Sequence, residues 1–547
     1  MNKIFTLFLF SAFVLPVKAQ SQTATPPTTQ EYGKVSQEDL ELKTCDFEKD
    51  ANAEVLFDKG NMYQDGGGVT ITRHVRMKIF NEAGKGYGSI HLSYGTTLVP
   101  SLNDIDGETI NQENGKIVIT TLDKKDIFTE KTDKYHSSIA FALPNVKAGS
   151  IVEFKYKWRT GYTNWYFQSR LPTRYSEIST ELPKIMENVR VRVIPHVKQA
   201  YVIDIGTPDD TKQIKALANI PSLPDEPFMS AREDNLQRME FVALYTMLDS
   251  WKKAGGILMK VSLFGGQFDQ IISGDGAIIK HAKALKTQDE KIAFIFDTVK
   301  NSMKWDDKLL FYSADGISAA WDKKTGNSAE INMILYRLLK KAGITAFPLV
   351  ISTKKNGKLY PFNPNLDVLN DMMVYIPIDS TKNYVLDASS KFNLYNTKPV
   401  DVLNTFCLCV DPTFLGEDSK TVYIENTESV LQSVFINAEI KPTGKMSGST
   451  QISSAAYNKI NAVKKYKTDG EEKYIDFLRN KDNNIKISDL KLADMEVDSL
   501  VLAQTFNFDA ELTGSDQNYI YFNTNLVISI LPSFKLMVSA CTLVMSS

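Results

Sequence analysis

The sequence predicts a multidomain chain: an N-terminal all-β, sandwich-like domain, a central α+β domain and a C-terminal, mainly β domain. Three observations lead there. At 547 residues the chain exceeds what one hydrophobic core serves, since domains run to roughly 100–200 residues. Alternation of apolar and polar residues dominates from about Glu54 to Phe241 and returns from about Thr421, the period of half-buried strands. Between about Ser250 and Lys341 the period is helical instead. The boundaries drawn from these shifts are 54–245, 246–415 and 416–547, preceded by a signal peptide (1–19) and a polar leader (20–53).

The first segment, "MNKIFTLFLFSAFVLPVKAQ", places Lys3 before an apolar run from Ile4 to Leu15 and a small-residue site at Val17-Lys18-Ala19. That order is the signature of a secretory signal peptide cut before Gln20. The apolar run is too short to span a bilayer, and the expected mature protein is exported, periplasmic and without a membrane span. Residues 20–37, "QSQTATPPTTQEYGKVSQ", read as a polar tether.

In the first β-domain, "VTITRHVRMKIF" offers Val69, Ile71, Val75, Met77 and Ile79 to one face, and "GKIVITTL", "SIVEFKYKW" and "NVRVRVIPH" repeat the signal between turn residues. "NDIDGETINQENGK" is acidic, but Gly107 is misplaced for an EF-hand loop, and a hairpin with a solvated tip is the expectation. In the central block, "TQDEKIAFIFDTVKNSMKWD" sets Ile292, Ile295, Phe296 and Val299 along one helical face. "TAFPLVIST", "MMVYIPI" and "NYVLDAS" then predict a small antiparallel sheet. Beyond it, "SVFINAEIKPTGKMSGSTQISSAAY" reads as a hairpin and Glu471–Asp482 as helix-compatible. The apolar tail from Asn525 to Ser547 carries one charge, Lys535, and fits a buried strand pair, a membrane tail or an abnormal terminus.

Charge and cysteine content exclude several classes. The formal net charge is −2, and no basic, aromatic-interleaved surface marks a nucleic-acid binder. The four cysteines, Cys45, Cys407, Cys409 and Cys541, are too few for a disulfide framework. Cys407 and Cys409, two apart on a strand, read as core or edge residues, with no histidine near them to complete a zinc site. Nothing in the sequence implies a metal, nucleotide or redox cofactor; the cofactor expectation is none.

The stretch "TGNSAEINMILYRLLKKAG" is the sharpest local signal. Asn327 and Glu330 have capping-box spacing, Ile331, Ile334, Leu335, Leu338 and Leu339 form a stripe, and Gly343 follows the last turn as a C-cap. The helix start exposes N–H groups and positive potential, where a thiol would be activated and an oxyanion held. Ser328 stands there.

This helix start, followed by "LNDMMVYI" and "YVLDAS", resembles the transglutaminase-like branch of the papain-like fold. The flanking "EVLFDKG", "FALPNVKAGSIVEFKYKW", "NWYFQSRLPTRYSE" and "NIPSLPDEPFM" are similar to the β-domain of unknown function that precedes such domains in secreted Bacteroidetes proteins. "MKWDDKLLFYSADGISAAWDKKTGNSAEIN" and "AGITAFPLVISTKKNG" are similar to the core itself. The resemblance spans roughly 54–525 and implies a Cys-His-Asp triad, whose positions fall on Ser328, Asp371 and Asp387. Two of the three depart from that pattern. All five histidines, His74, His91, His136, His196 and His281, precede the helix, and a serine without a base is a poor nucleophile.

The leading expectation is therefore an exported cell-envelope pseudoenzyme that binds a peptide, cell-wall fragment, glycan or envelope protein, with Trp305, Trp321 and Tyr360 as candidate cleft-lining residues. One alternative is a serine hydrolase or acyltransferase using Ser328 with Asp371 and Asp387, which requires Asp371 to be lifted by burial or by Asp387. A further alternative is a structural envelope scaffold.

Overall fold

A computed structural model describes residues 29–512, apart from 66–67, 96–100, 132–135, 183–184, 187–188, 208–209, 227–228, 246–247, 417, 427–430, 442 and 499. The signal peptide, Cys541 and the apolar tail 525–547 lie outside the described residues. The chain forms two compact units. The first takes the residues up to Lys184 together with Val191–Pro224 and Leu236–Val242; the second takes Ile185–Arg190, Asp225–Asn235 and the chain from Ala243 onward. The protein is multidomain and largely β, with several separate sheets.

An eight-stranded sheet organises the first unit. Its strands are β1 (Ala53–Asp65), β2 (Gly68–Ile79), β3 (Ser101–Glu113), β4 (Lys116–Thr121), β5 (Ile151–Thr160), β6 (Thr173–Glu181), β7 (Ile203–Ile205) and β8 (Lys212–Ile220), in the spatial order β7-β8-β6-β1-β2-β5-β3-β4. Only the β1–β6 pairing among those described is parallel. Val75, Met77 and Ile79 enter one buried cluster with Val152 and Phe154, while Val69 and Ile71 enter a second with Trp165 and Phe241. The acidic stretch predicted as a hairpin is β3–β4, closed by Asn114 and Gly115 with φ of 50° and 76°. Positive φ at both turn positions matches the right-handed strand twist, which is why Asn-Gly serves there.

The opposite face of β2 departs from the alternation expectation. His74, Arg76 and Lys78 should face water, yet Arg76 and Lys78 are 0% and 1% exposed. The cover is the leader: residues 29–42, of which 29–37 were expected as tether, lie on this face as a strap. Arg76 donates to Gln30 Oε1 (2.5 Å) and to the Glu31 carbonyl (3.1 Å), Gly33 N–H donates to Glu153 Oε2 (3.1 Å), and Lys78 Nζ donates to the Leu40 carbonyl (2.7 Å). Gly33 has φ 76°, a backbone state that suits glycine. Burial draws the Lys78 ammonium down to about 8. Polar composition concealed the strap because its polarity is matched by buried charge rather than by water.

The second unit contains both the predicted central and C-terminal blocks. Its helices include Trp251–Lys260, Asp275–Ala284, Gln288–Ser302, Ile317–Lys323 and Ser328–Lys341. Ile292, Ile295, Phe296 and Val299 are fully buried, as are Ile331, Ile334, Leu335, Leu338 and Leu339, each side chain stabilising by about 1.5–3 kcal/mol. They pack beside a five-stranded antiparallel sheet of β9 (Phe347–Ile351), β10 (Asp371–Pro377), β11 (Asn383–Leu386), β12 (Thr405–Cys409) and β13 (Lys420–Ile424), ordered β11-β10-β9-β12-β13. Cys407 and Cys409 are buried thiols in the core on this sheet, and burial raises both. The last block is a four-stranded sheet of β14 (Gln432–Ile440), β15 (Lys445–Ser454), β16 (Ile485–Ala493) and β17 (Leu502–Glu511), ordered β14-β15-β17-β16. The expected hairpin is β14–β15, and the helix-compatible stretch is the helix Glu471–Leu478. Among the described residues, no helix is long and apolar enough to cross a membrane.

Candidate functional site

The Ser328 helix begins as its sequence prescribes. Asn327 is the N-cap, its side chain accepting from Glu330 N–H (2.9 Å), while Glu330 Oε2 accepts from Asn327 N–H (2.9 Å). Glu330 does more than close the box. Its Oε1 accepts from Ser313 Oγ (2.9 Å), Ala314 N–H (2.9 Å) and Asp315 N–H (2.7 Å). This carboxylate, 3% exposed, thereby ties the segment 306–316 across the helix start. Gly326 permits that approach, since a Cβ there would sit 2.9 Å from Glu330 Oε2.

Ser328 is the first helical residue and is fully buried. Its N–H donates to the Lys308 carbonyl (3.1 Å), and its Oγ both accepts from Leu310 N–H (3.1 Å) and donates to the Leu310 carbonyl (3.2 Å). The N–H group that an oxyanion would use is thus committed to the covering segment.

Asp371 stands within hydrogen-bonding reach of the Ser328 hydroxyl and in the field of Asp387. Asp371 opens β10, is 2% exposed, and accepts from Met372 N–H at 2.8 Å. Burial pushes its carboxyl well above the usual range, and the Asp387 charge adds to the rise; the Ser328 hydroxyl and Met372 N–H draw it down, and Asp401 pushes it further up. Asp387, just beyond β11, is held as an acceptor by four donors: Asn332 Nδ2 (2.9 Å), Ser389 N–H (3.0 Å), Ser389 Oγ (2.6 Å) and Asn393 Nδ2 (2.9 Å). The two acids are therefore unlike. Asp387 is tied into a set of four donors, and Asp371 has the surroundings that retain a proton.

Asn332 was missed by the sequence reading. It is fully buried, donates to the Met372 carbonyl (2.9 Å) as well as to Asp387, and accepts from Ala388 N–H (2.9 Å). One side chain so fixes helix, β10 and the segment after β11. The signal was available, since Asn332 stands four residues after Ser328, one turn along the same face.

The aromatic candidates take separate places. Trp305 packs partly buried on the helical core, and its N–H donates to the Lys308 carbonyl (2.9 Å), the group that also receives Ser328 N–H. Trp321 is buried in that core, with its N–H on the Ser273 carbonyl (2.8 Å) and Lys324 Nζ 3.5 Å above its ring. Tyr360 is 38% exposed, and its carbonyl accepts from Trp251 Nε1 at 3.0 Å. Among the described residues, no group of three or more His, Cys, Asp or Glu side chains is placed to hold a metal ion.

With fold and site laid out, residues 65–216 match the family described as a domain of unknown function with a solved structure, DUF3857. No curated protein matches the chain. Among solved structures, a protein of Parabacteroides distasonis ATCC 8503 described as a "putative protease" is 13% identical, with a TM-score of 0.47, over 84% of this chain and 93% of that one. Native yeast LTA4 hydrolase is 11% identical over 35% of this chain and 29% of its own, with a TM-score of 0.19. Aminopeptidase A of Legionella pneumophila is 8% identical over 41% and 28%, also at 0.19. At these levels the neighbours assign no chemistry to this chain.

Proposed function

We propose that this is an exported cell-envelope protein whose core resembles the transglutaminase-like fold but is catalytically degenerate, and that it acts by binding a peptide, cell-wall or glycan ligand or an envelope partner. One observation carries this reading: Ser328 is fully buried, with its hydroxyl and its N–H both bonded to the segment Lys308–Leu310. A nucleophile must present its oxygen to a substrate and keep an N–H free for the oxyanion. The remaining triad positions supply two carboxyls, and the chain has no histidine after Ser328.

The single proton of the Ser328 hydroxyl can go to the Leu310 carbonyl or to Asp371, and the second direction favours another reading, a serine hydrolase or acyltransferase in which Asp371 takes the serine proton. The mature protein, treated with a fluorophosphonate probe at pH 5 and pH 7.5 and weighed intact, separates the two. The degenerate core predicts no adduct at Ser328 at either pH. An adduct that maps to Ser328 and disappears in Ser328→Ala would establish the serine enzyme and end the binding-only reading.

A further inference from the structure

The two edges of the eight-stranded sheet are unlike. At one end β7 is only three residues long and carries Asp204, and both features keep an edge from pairing. At the other end stands β4, Lys116-Ile117-Val118-Ile119-Thr120-Thr121, with no proline and no charge after Lys116. Ile117, Val118 and Ile119 are 50%, 38% and 44% exposed. Successive side chains on a strand point to opposite faces, so this edge presents apolar groups to water on both of them.

The register identifies which backbone groups are free. Leu122 N–H donates to the Gly107 carbonyl (2.8 Å), so the even-numbered positions of β4 turn their N–H and C=O groups towards β3. Ile117, Ile119 and Thr121 turn theirs outward, and among the described residues no strand lies beyond β4 in this sheet. Ile119 stands directly opposite Ile110, and Ile110 opposite Ile151; residues so opposed share a face. Ile110 and Ile151 are fully buried in a cluster with Leu40 of the strap. The row Ile151, Ile110, Ile119 is thus a core row that runs out, still apolar, at an open edge.

The sequence of the edge selects its occupant. Ile117-Val118-Ile119 reads the same in both directions. An antiparallel copy related by a two-fold axis through Val118 sets Ile117 against Ile119, Val118 against Val118 and Lys116 against Thr120. The outward N–H and C=O groups of Ile117 and Ile119 then meet those of the copy and can exchange hydrogen bonds in both directions. Every apolar residue of the trio meets an apolar one, and no like charges are opposed. The adjacent registers that also match outward groups are poorer. Centring on Ile119 sets Ile117 against Thr121 and Val118 against Thr120, and centring on Thr120 sets Lys116 against Lys124.

We infer that β4 is the contact through which two copies of this chain join edge to edge, as an antiparallel pair centred on Val118 that continues the sheet from one copy into the other. The same strand is used on both copies, so the contact closes at a dimer. One short strand per copy makes a small interface, and the dimer is accordingly weak and reversible, half formed at about 100 µM. The surface belongs to the first unit and does not depend on the state of Ser328, so it stands or falls separately from the proposed pseudoenzyme.

The test is sedimentation velocity of the mature protein over a concentration series, joined to cysteine cross-linking. Ile117→Lys/Ile119→Lys should weaken the dimer at least about tenfold, whereas Ile271→Lys, at an exposed apolar residue outside any strand, should change it less than about twofold. Melting curves matching the parent would show that these exposed substitutions leave the fold intact. In a Cys541→Ser background, Val118→Cys should give a disulfide-linked dimer under mild oxidation, because the pair on the axis is not hydrogen-bonded and sets its Cα atoms about 4.5 Å apart. Ile117→Cys and Thr120→Cys, each displaced from its own copy, should link at least about tenfold more slowly. A monomer at every concentration up to about 400 µM, a dimer indifferent to the lysine substitutions, or faster linking at Ile117 or Thr120 than at Val118 would each overturn the assignment.

Discussion

Glu330→Ala should destabilise the second unit by about 3–4 kcal/mol, the largest loss expected from one substitution at this site. The carboxylate is 3% exposed and accepts from Ser313 Oγ and from the N–H groups of Ala314, Asp315 and Asn327. Removing it leaves buried donors without a partner, each costing about 1–3 kcal/mol where water cannot replace the bond. Glu330→Gln should fall between the two. Its amide oxygen can serve Ser313, Ala314 and Asp315, but its NH2 then faces Asn327 N–H, donor against donor. Denaturant unfolding followed by tryptophan fluorescence would measure the order Glu, Gln, Ala. A loss below about 1 kcal/mol for Glu330→Ala would mean that segment 306–316 is held by something else.

Asp371→Asn should stabilise the protein, and the gain should depend on pH. The Asp371 carboxyl is raised well above its ordinary 3.8 by burial and by Asp387. The folded protein therefore keeps a proton that the unfolded chain releases, and stability falls as pH rises from about 3.8 towards the raised folded value. Above that value Asp371 is ionised in both the folded and the unfolded chain, and the penalty is constant. Asparagine mimics the protonated acid: its oxygen can accept from Met372 N–H, and its NH2 takes the place of the acid O–H. The expected result is a melting temperature near the parent's at pH 4 and about 3–6 °C higher at pH 7.5. An equal shift at both pH values would show that Asp371 does not titrate differently in the two states. The same substitution removes the acid that serine chemistry requires, so higher stability without altered fluorophosphonate labelling agrees with the degenerate reading.

Local rules made the Ser328 helix legible. A cap, an acid three residues on, an apolar stripe and a terminal glycine all concern neighbours in sequence, and Asn327, Glu330 and the stripe from Ile331 to Leu339 take their expected places. Ser328, Asp371 and Asp387 were grouped through the resemblance to transglutaminase-like domains, not by any local rule. What escaped was polar burial across long separations. Glu330 reads as a cap residue, and nothing local announces that it also gathers Ser313, Ala314 and Asp315. Asn332 reads as one polar position in a helix until β10 and Asp387 are brought to it. The strap was the largest difference, because alternation in β2 assigns His74, Arg76 and Lys78 to solvent and composition assigns residues 20–37 to a tether. Each half of that contact looked solvated alone, and only their pairing buries both.

That pairing has a bearing on how the strap tolerates change. Arg76 and Lys78 grip the carbonyls of Glu31 and Leu40, and Glu153 grips the amide of Gly33, groups that every residue except proline supplies. Substitution of Glu31 or Lys34, both exposed, leaves the grip in place, whereas Gly33 is bound by its φ of 76° and Leu40 by its burial. Among related chains, the strap should keep its length and the spacing of these two anchors while the letters between them drift, so that a comparison of sequences alone would score it as a poorly preserved linker.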